Sequence, residues 1–156
     1  MSDRRYLRPT AIDRAFNGVM AFLTRMGVSV YGSRVLAVRG RKSGAWRTVP
    51  VNLLMHESER YLVAPRGETE WVRNIRAAGS GELRLGATRE PIAVTELGDA
   101  EKPPILRAYV QKWWFEVARF FEGVTRDASL EDLRRIAPGF PVFRIRPATP
   151  ADRPPP

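Results

Sequence analysis

Residues 48 to 55 constrain this chain most. Val49, Val51, Leu53 and Met55 alternate there with Thr48, Pro50 and Asn52. A period of two means an extended strand with one buried face. A lone strand cannot bury that face, so its neighbours must supply partners. Val35-Leu36-Ala37-Val38 precedes it across a turn at 40–44, and Tyr61-Leu62-Val63-Ala64 follows it across a polar loop at 56–60. Glu82 to Leu85 and Pro91 to Leu97 form a second pair around a turn at 86–90. Phe140 to Arg146 adds a closing strand with Phe143 and Ile145 inward. About six mostly antiparallel strands can close into a small barrel. Strands and helices do not alternate throughout, so a doubly wound parallel sheet is not expected.

Helical spacing fills the rest. Thr10 and Asp13 open a first helix carrying Ile12, Phe16, Val19, Phe22, Leu23 and Met26, and Gly27 ends it. Its expected place is on the domain's own core, although a basic amphipathic helix also permits weak association with a membrane surface. Glu68 to Ala78 reads as a short helix with Trp71, Ile75 and Ala78 near one face. Asp99 to Pro104 opens a long helix bearing Leu106, Tyr109, Val110, Trp113, Val117, Phe120 and Phe121. Trp114 and Phe115 widen that stripe, which implies contacts on more than one side. Ser129 with Asp132 caps a last helix, and Pro138-Gly139 breaks it. The 156 residues suit one α+β domain. The expected organisation is a flexible N-terminus (1–8), a single domain (9–146) and a disordered Pro-rich tail (147–156).

Several chemistries are excluded by what is missing. There is no cysteine, and the one histidine, His56, falls in a predicted hairpin. No metal site and no Ser-His-Asp site can be assembled from that inventory. No apolar run of 18 residues and no signal peptide are present, so a cytoplasmic protein is expected. An enzyme of this composition needs an organic cofactor to carry the reaction. The net charge of +9 calls for an anionic partner: nucleic acid, a phosphate-bearing cofactor or an acidic membrane. The aromatic residues cluster in helices with core periodicity rather than among basic residues on strands, which argues against nucleic acid.

Two stretches concentrate the candidate chemistry. Arg39-Gly40-Arg41-Lys42-Ser43-Gly44-Ala45-Trp46-Arg47 places four cations and two glycines between two strands. Glycines let backbone N–H groups approach an anion, Ser43 adds a hydroxyl, and Arg41, Lys42 and Arg47 can surround a phosphate. A solvated basic hairpin has the same composition. Ala64-Pro65-Arg66-Gly67 then leads from a strand end into a helix start, where free N–H groups can hold an anion or a ring carbonyl. Trp71 offers an aromatic wall there, or is simply core.

Together these stretches resemble the deazaflavin-dependent nitroreductase and quinone reductase family, split β-barrel oxidoreductases that use coenzyme F420. The residues that carry the resemblance are Gly40-Arg41-Lys42-Ser43-Gly44, Arg47, Pro50, Ala64, Arg66-Gly67, and Trp71 with Asn74, over roughly 30–97. It implies that Arg41, Lys42 and Arg47 hold the cofactor's phosphate and acidic tail, and that Ser43, Gly44, Thr48 and Pro50 line the same groove. Ala64, Pro65, Arg66 and Gly67 would pass beside the deazaflavin ring, with Trp71, Arg73 and Asn74 closing that side. The acceptor would be a quinone, a nitroaromatic or an activated double bond. Tyr109 and Trp113 are candidate walls of its pocket, and equally candidate core. The chain departs from the family pattern at Pro65, which brings no donor, and has no matching motif beyond Leu97. The alternative is a protein of the same fold that binds FMN or carries a cofactor without F420 turnover; in either case the chain is expected to be a monomer or a homodimer.

Overall fold

The alternation at 48–55 lies inside an eleven-residue strand, β2 (Trp46–His56). The computed structural model describes Arg5, Tyr6, Arg14 and residues 32–152. The expected first helix therefore falls outside the described residues, Arg14 excepted. β2 pairs antiparallel with β1 (Ser33–Arg39) and with β3 (Glu59–Val63). Helix α1 (Glu70–Ala78) leads to β4 (Ser80–Leu85) and β5 (Thr88–Glu96). Helices α2 (Lys102–Val117) and α3 (Leu130–Ile136) then precede β6 (Val142–Pro147). The strand order is β1-β2-β3-β6-β5-β4, and β4 pairs back onto β1, so the barrel is closed. Its neighbouring strands are all antiparallel.

Period two sends alternate residues to two cores. Leu36, Val38, Leu53, Leu62, Leu83, Ile92, Phe143 and Ile145 fill the barrel, and α1 adds Val72 and Ile75. Tyr61, Val63, Leu54 and Val142 face outward and meet Leu106, Tyr109, Val110, Trp113 and Val117 of α2 and Leu133 of α3. Each fully buried Leu or Phe contributes about 1.5–3 kcal/mol relative to exposure. Ser129 and Asp132 form the expected capping box on α3, with Asp132 N–H donating to Ser129 Oγ at 3.1 Å.

The structure departs from the sequence reading at several element ends. The β2–β3 loop is a two-residue turn at Glu57-Ser58, both at positive φ (48° and 67°), so His56 belongs to the strand. Such tight hairpin turns require positive φ. Met55, next to that tip, is 56% exposed instead of buried. The β4–β5 turn is likewise short, with Leu85 paired to Thr88. The long helix is not continuous: Asp99–Glu101 and Ala118–Phe120 are 3-10 turns, and Trp113 breaks α2 (φ −117°, ψ 28°). Regular structure continues to Asp152, inside the expected tail, where Arg146 pairs with Asp152 and Ala148 N–H donates to Pro91 O. Arg5 and Tyr6, in the N-terminal stretch expected to be flexible, are held against the β3 end. The Arg5 guanidinium donates to the carbonyls of Pro65 (2.8 Å), Phe120 (2.8 Å) and Gly139 (3.3 Å).

Candidate functional site

The β1–β2 turn closes on itself. Gly40 N–H donates to Ala45 O and Gly44 N–H to Gly40 O, while Ser43 Oγ accepts from Ala45 N–H. The glycine N–H groups are therefore spent on the turn, and side chains are what it presents. Gly44 sits at φ +73°, which the turn requires, and an added Cβ there would meet no protein atom within 4 Å. Lys42 and Arg47 have no ion-pair partner among the described residues. Arg41 is held from α1: its backbone N–H and its Nη1 both donate to Asn74 Oδ1, at 3.1 and 2.9 Å. The same Nη1 donates to Glu70 Oε2 at 2.9 Å. This guanidinium holds the Glu70 carboxyl below its ordinary range.

The β3 end makes the facing wall. Ala64 N–H donates to Pro141 O, and Gly67 turns the chain at φ +85° into the start of α1. That start is anchored by Arg76, which bonds both Glu68 and Glu96. Thr69 occupies the N-cap position with extended backbone and makes no side-chain cap. Its buried Oγ1 has no partner among the described residues. A hydroxyl left that way needs a ligand or water.

Between these walls lies a cavity of about 610 Å³. Ligand pockets generally fall between about 300 and 1,000 Å³. Among the residues expected from sequence, Arg41, Lys42, Ser43, Arg47, Thr48, Pro50, Ala64, Pro65, Arg66, Trp71, Asn74 and Tyr109 line it. Gly44, Gly67, Arg73 and Trp113 do not. The two glycines shape turns, Arg73 lies 3.9 Å from Glu70, and Trp113 is 2% exposed and packs on Tyr109 with ring centroids 5.1 Å apart. Pro65 faces the cavity without a donor, and its carbonyl is taken by Arg5.

The sequence reading missed the far end of this cavity. Val117 and Phe120 of the α2 end line it with Tyr109, and Phe120 lies 4.6 Å from the Arg66 guanidinium carbon and 4.7 Å from that of Arg119. Asn52 Nδ2 donates to Glu116 Oε2 at 3.0 Å. Burial pushes the Tyr109 hydroxyl pKa up, Glu116 adds to that, and a hydrogen bond with Asn52 opposes it. Tyr109 therefore stays protonated at neutral pH. The cavity thus joins a cationic end, suited to anions, to an aromatic end where the Tyr109 phenol, the Asn52 amide and the Glu116 carboxylate lie with the guanidinium groups of Arg66 and Arg119 on Phe120. Its donor set, with cations at one end and the Tyr109 phenol at the other, fits a ligand that carries an anionic chain and a polar ring.

Comparisons with known proteins bear on the family and the fold. A family model described as "F420H(2)-dependent quinone reductase" matches residues 10–129. A solved structure of an F420-H2 Dependent Reductase (FDR-A) is 19% identical, with a TM-score of 0.52, covering 74% of this chain and 94% of that one. A protein of Agrobacterium tumefaciens, Atu2129, is 16% identical with a TM-score of 0.56, over 94% of this chain and 64% of the other. A domain-swapped dimer is 17% identical with a TM-score of 0.52, over 88% of this chain and all of that chain. At these identities the solved structures establish the fold, a six-stranded barrel with flanking helices. The comparison with curated proteins gives no match. No described helix is long and apolar enough to cross a membrane.

Proposed function

Because the chain belongs to the F420H(2)-dependent quinone reductase family, we propose that its 610 Å³ cavity holds coenzyme F420 beside a quinone acceptor. The chain is an F420H2-dependent reductase; the acceptor and the residue roles are the proposal. Reduced F420, when bound, supplies a hydride to the acceptor.

The residues divide the remaining work. Lys42, Arg47 and Arg41 bind the cofactor's phosphate and acidic tail through charge-assisted hydrogen bonds. Ser43, Thr48 and Pro50 line the groove beneath that chain. Ala64, Pro65 and Arg66 flank the ring on one side, and Trp71 and Asn74 on the other. Gly44, Gly67 and Arg73 act through the shape and charge of these walls. At the far end Val117 and Phe120 exclude water from the reacting faces, which strengthens the electrostatics inside. Tyr109, held protonated by burial, donates a hydrogen bond to an acceptor oxygen and orients it. Positioning of this kind can account for much of the barrier reduction in a two-substrate reaction.

One observation carries the reading: a single cavity joins unpaired cations to an aromatic pocket. A planar acceptor with carbonyl oxygens fits a pocket walled by Val117 and Phe120, with the Tyr109 phenol as donor and Arg66 and Arg119 beside it. The test is a fluorescence titration with F420 and, separately, FMN, in wild type and in Lys42→Ala with Arg47→Ala. Micromolar F420 binding that the double substitution weakens at least about tenfold is the expected result, followed by turnover with quinones, nitroaromatics and enones. Preference for FMN, or turnover confined to non-quinones, would refute the corresponding part. A homodimer is supported only by the assembly of one similar structure, and light scattering at working concentration decides it.

A further inference from the structure

Arg41 has two acceptors of different standing. Asn74 is 5% exposed, sits on α1, and receives both the backbone N–H and Nη1 of Arg41. Its geometry is fixed by the helix and by burial. Glu70, one turn earlier on α1, receives the same Nη1, but its side chain is 64% exposed. Exposed ion pairs contribute little and exchange readily. Among the described residues that line the cavity, Glu70 and Glu116 are the acids, and Glu116 is engaged by Asn52 at the opposite end. Glu70 is therefore the carboxylate of the cationic end, faced by Arg41 at 2.9 Å and Arg73 at 3.9 Å, with Lys42 also acting on it.

We propose that Glu70 is a built-in stand-in for the ligand's anion. Its carboxylate occupies Arg41 until a phosphate or carboxylate of the incoming ligand replaces it, while Asn74 keeps hold of the same guanidinium throughout. Carboxylate and phosphate oxygens accept from a guanidinium in the same way, so the exchange needs no rearrangement of Arg41. It makes Glu70 a specificity residue. A ligand with one weak anionic group gains little by displacing it, whereas a polyanion gains contacts to Lys42 and Arg47 as well. The inference deepens the cofactor reading and rests on the cationic end being the anion site.

The test uses inorganic pyrophosphate and F420 as separate probes of wild type, Glu70→Gln and Asn74→Ala. Glutamine keeps the shape and one acceptor but removes the charge. Pyrophosphate and F420 should each bind Glu70→Gln about two- to fivefold more tightly, the size of an exposed ion pair, with the ligand-free unfolding midpoint lowered only slightly because the same pair is lost from the fold. Asn74→Ala should weaken both, because the tether is lost. Weaker or equal pyrophosphate binding by Glu70→Gln, or no binding to either protein, overturns the proposal: weaker binding would mean that Glu70 only aims Arg41. If F420 fails to bind wild type while pyrophosphate still prefers the Gln variant, the cofactor reading falls and the stand-in remains.

Discussion

Replacing Gly67 by alanine should cost far more than the same change at Gly44. Both glycines have positive φ, +85° and +73°. An alanine held in that region costs about 1–2 kcal/mol. At Gly44 an added Cβ meets nothing within 4 Å, so the backbone penalty is the whole effect. At Gly67 it would lie 2.0 Å from the Arg5 carbonyl oxygen and 2.8 Å from its carbon. Backbone cannot yield as a side-chain tip does, so the Arg5 segment must move away. That movement breaks the Glu68 N–H to Arg5 O bond and the three bonds from the Arg5 guanidinium. At about 0.5–1.5 kcal/mol per hydrogen bond, partly replaced by water, Gly67→Ala should total about 3–5 kcal/mol. The assay is urea unfolding followed by tryptophan fluorescence, at equal slope. Arg5→Ala should be non-additive with Gly67→Ala by about 1–2 kcal/mol, because both release the same segment. Equal losses at Gly67 and Gly44, within about 0.5 kcal/mol, would refute the reasoning, since additivity holds to that level for independent effects.

Three further outcomes follow from the geometry. Ser129→Ala removes the α3 capping box and should lower stability by about 0.5–2 kcal/mol in the same unfolding assay. Leu106→Ala, at a fully buried site between α2 and the barrel, should cost about 2–5 kcal/mol, against less than about 1 kcal/mol for the 37% exposed Leu130. Glu90 is held below the ordinary carboxyl range by its two hydrogen bonds with Arg60. Its contribution is present above the unfolded carboxyl pKa of about 4.3 and is lost as pH falls through the lower folded value. The stability difference between wild type and Glu90→Gln, small because the carboxylate is more than a third exposed, should therefore shrink on acidification; a constant difference would contradict this.

The barrel was legible because its strands read either as alternation, where one face is exposed, or as a continuous apolar run, where each face lies in a core. Leu62 beside Tyr61 and Val63, or Phe143 beside Val142, announces two buried sides at once. A hairpin at 56–60 was legible, but its two-residue tip was not, since neither Glu57 nor Ser58 is the glycine or asparagine that usually marks positive φ. The cationic end could be read because its side chains are consecutive and bracketed by glycines. The use of those glycines could not: their N–H groups close the turn instead of facing a ligand. The aromatic end depends on Asn52 meeting Glu116 across 64 positions and on the break at Trp113. No local pattern encodes such a meeting. Trp113 itself follows the helical stripe as Tyr109 does, yet only Tyr109 reaches the cavity.

Closure of the sheet through the β1–β4 pairing gives each of the six strands two neighbours, but β2 uses its two sides in turn, with residues 46–52 paired to β1 and residues 53–56 to β3. Residues 46–52 have no ladder partner on the β3 side among the described residues, so a strand border remains there. Self-association by contact between surfaces, which dilution reverses, differs from exchange of whole strands between chains, which requires opening the barrel first. The first gives an equilibrium that follows concentration within the dead time of a mixing experiment. The second gives species that persist for as long as the unfolding barrier allows, and their lifetime would report on the barrel rather than on the contact.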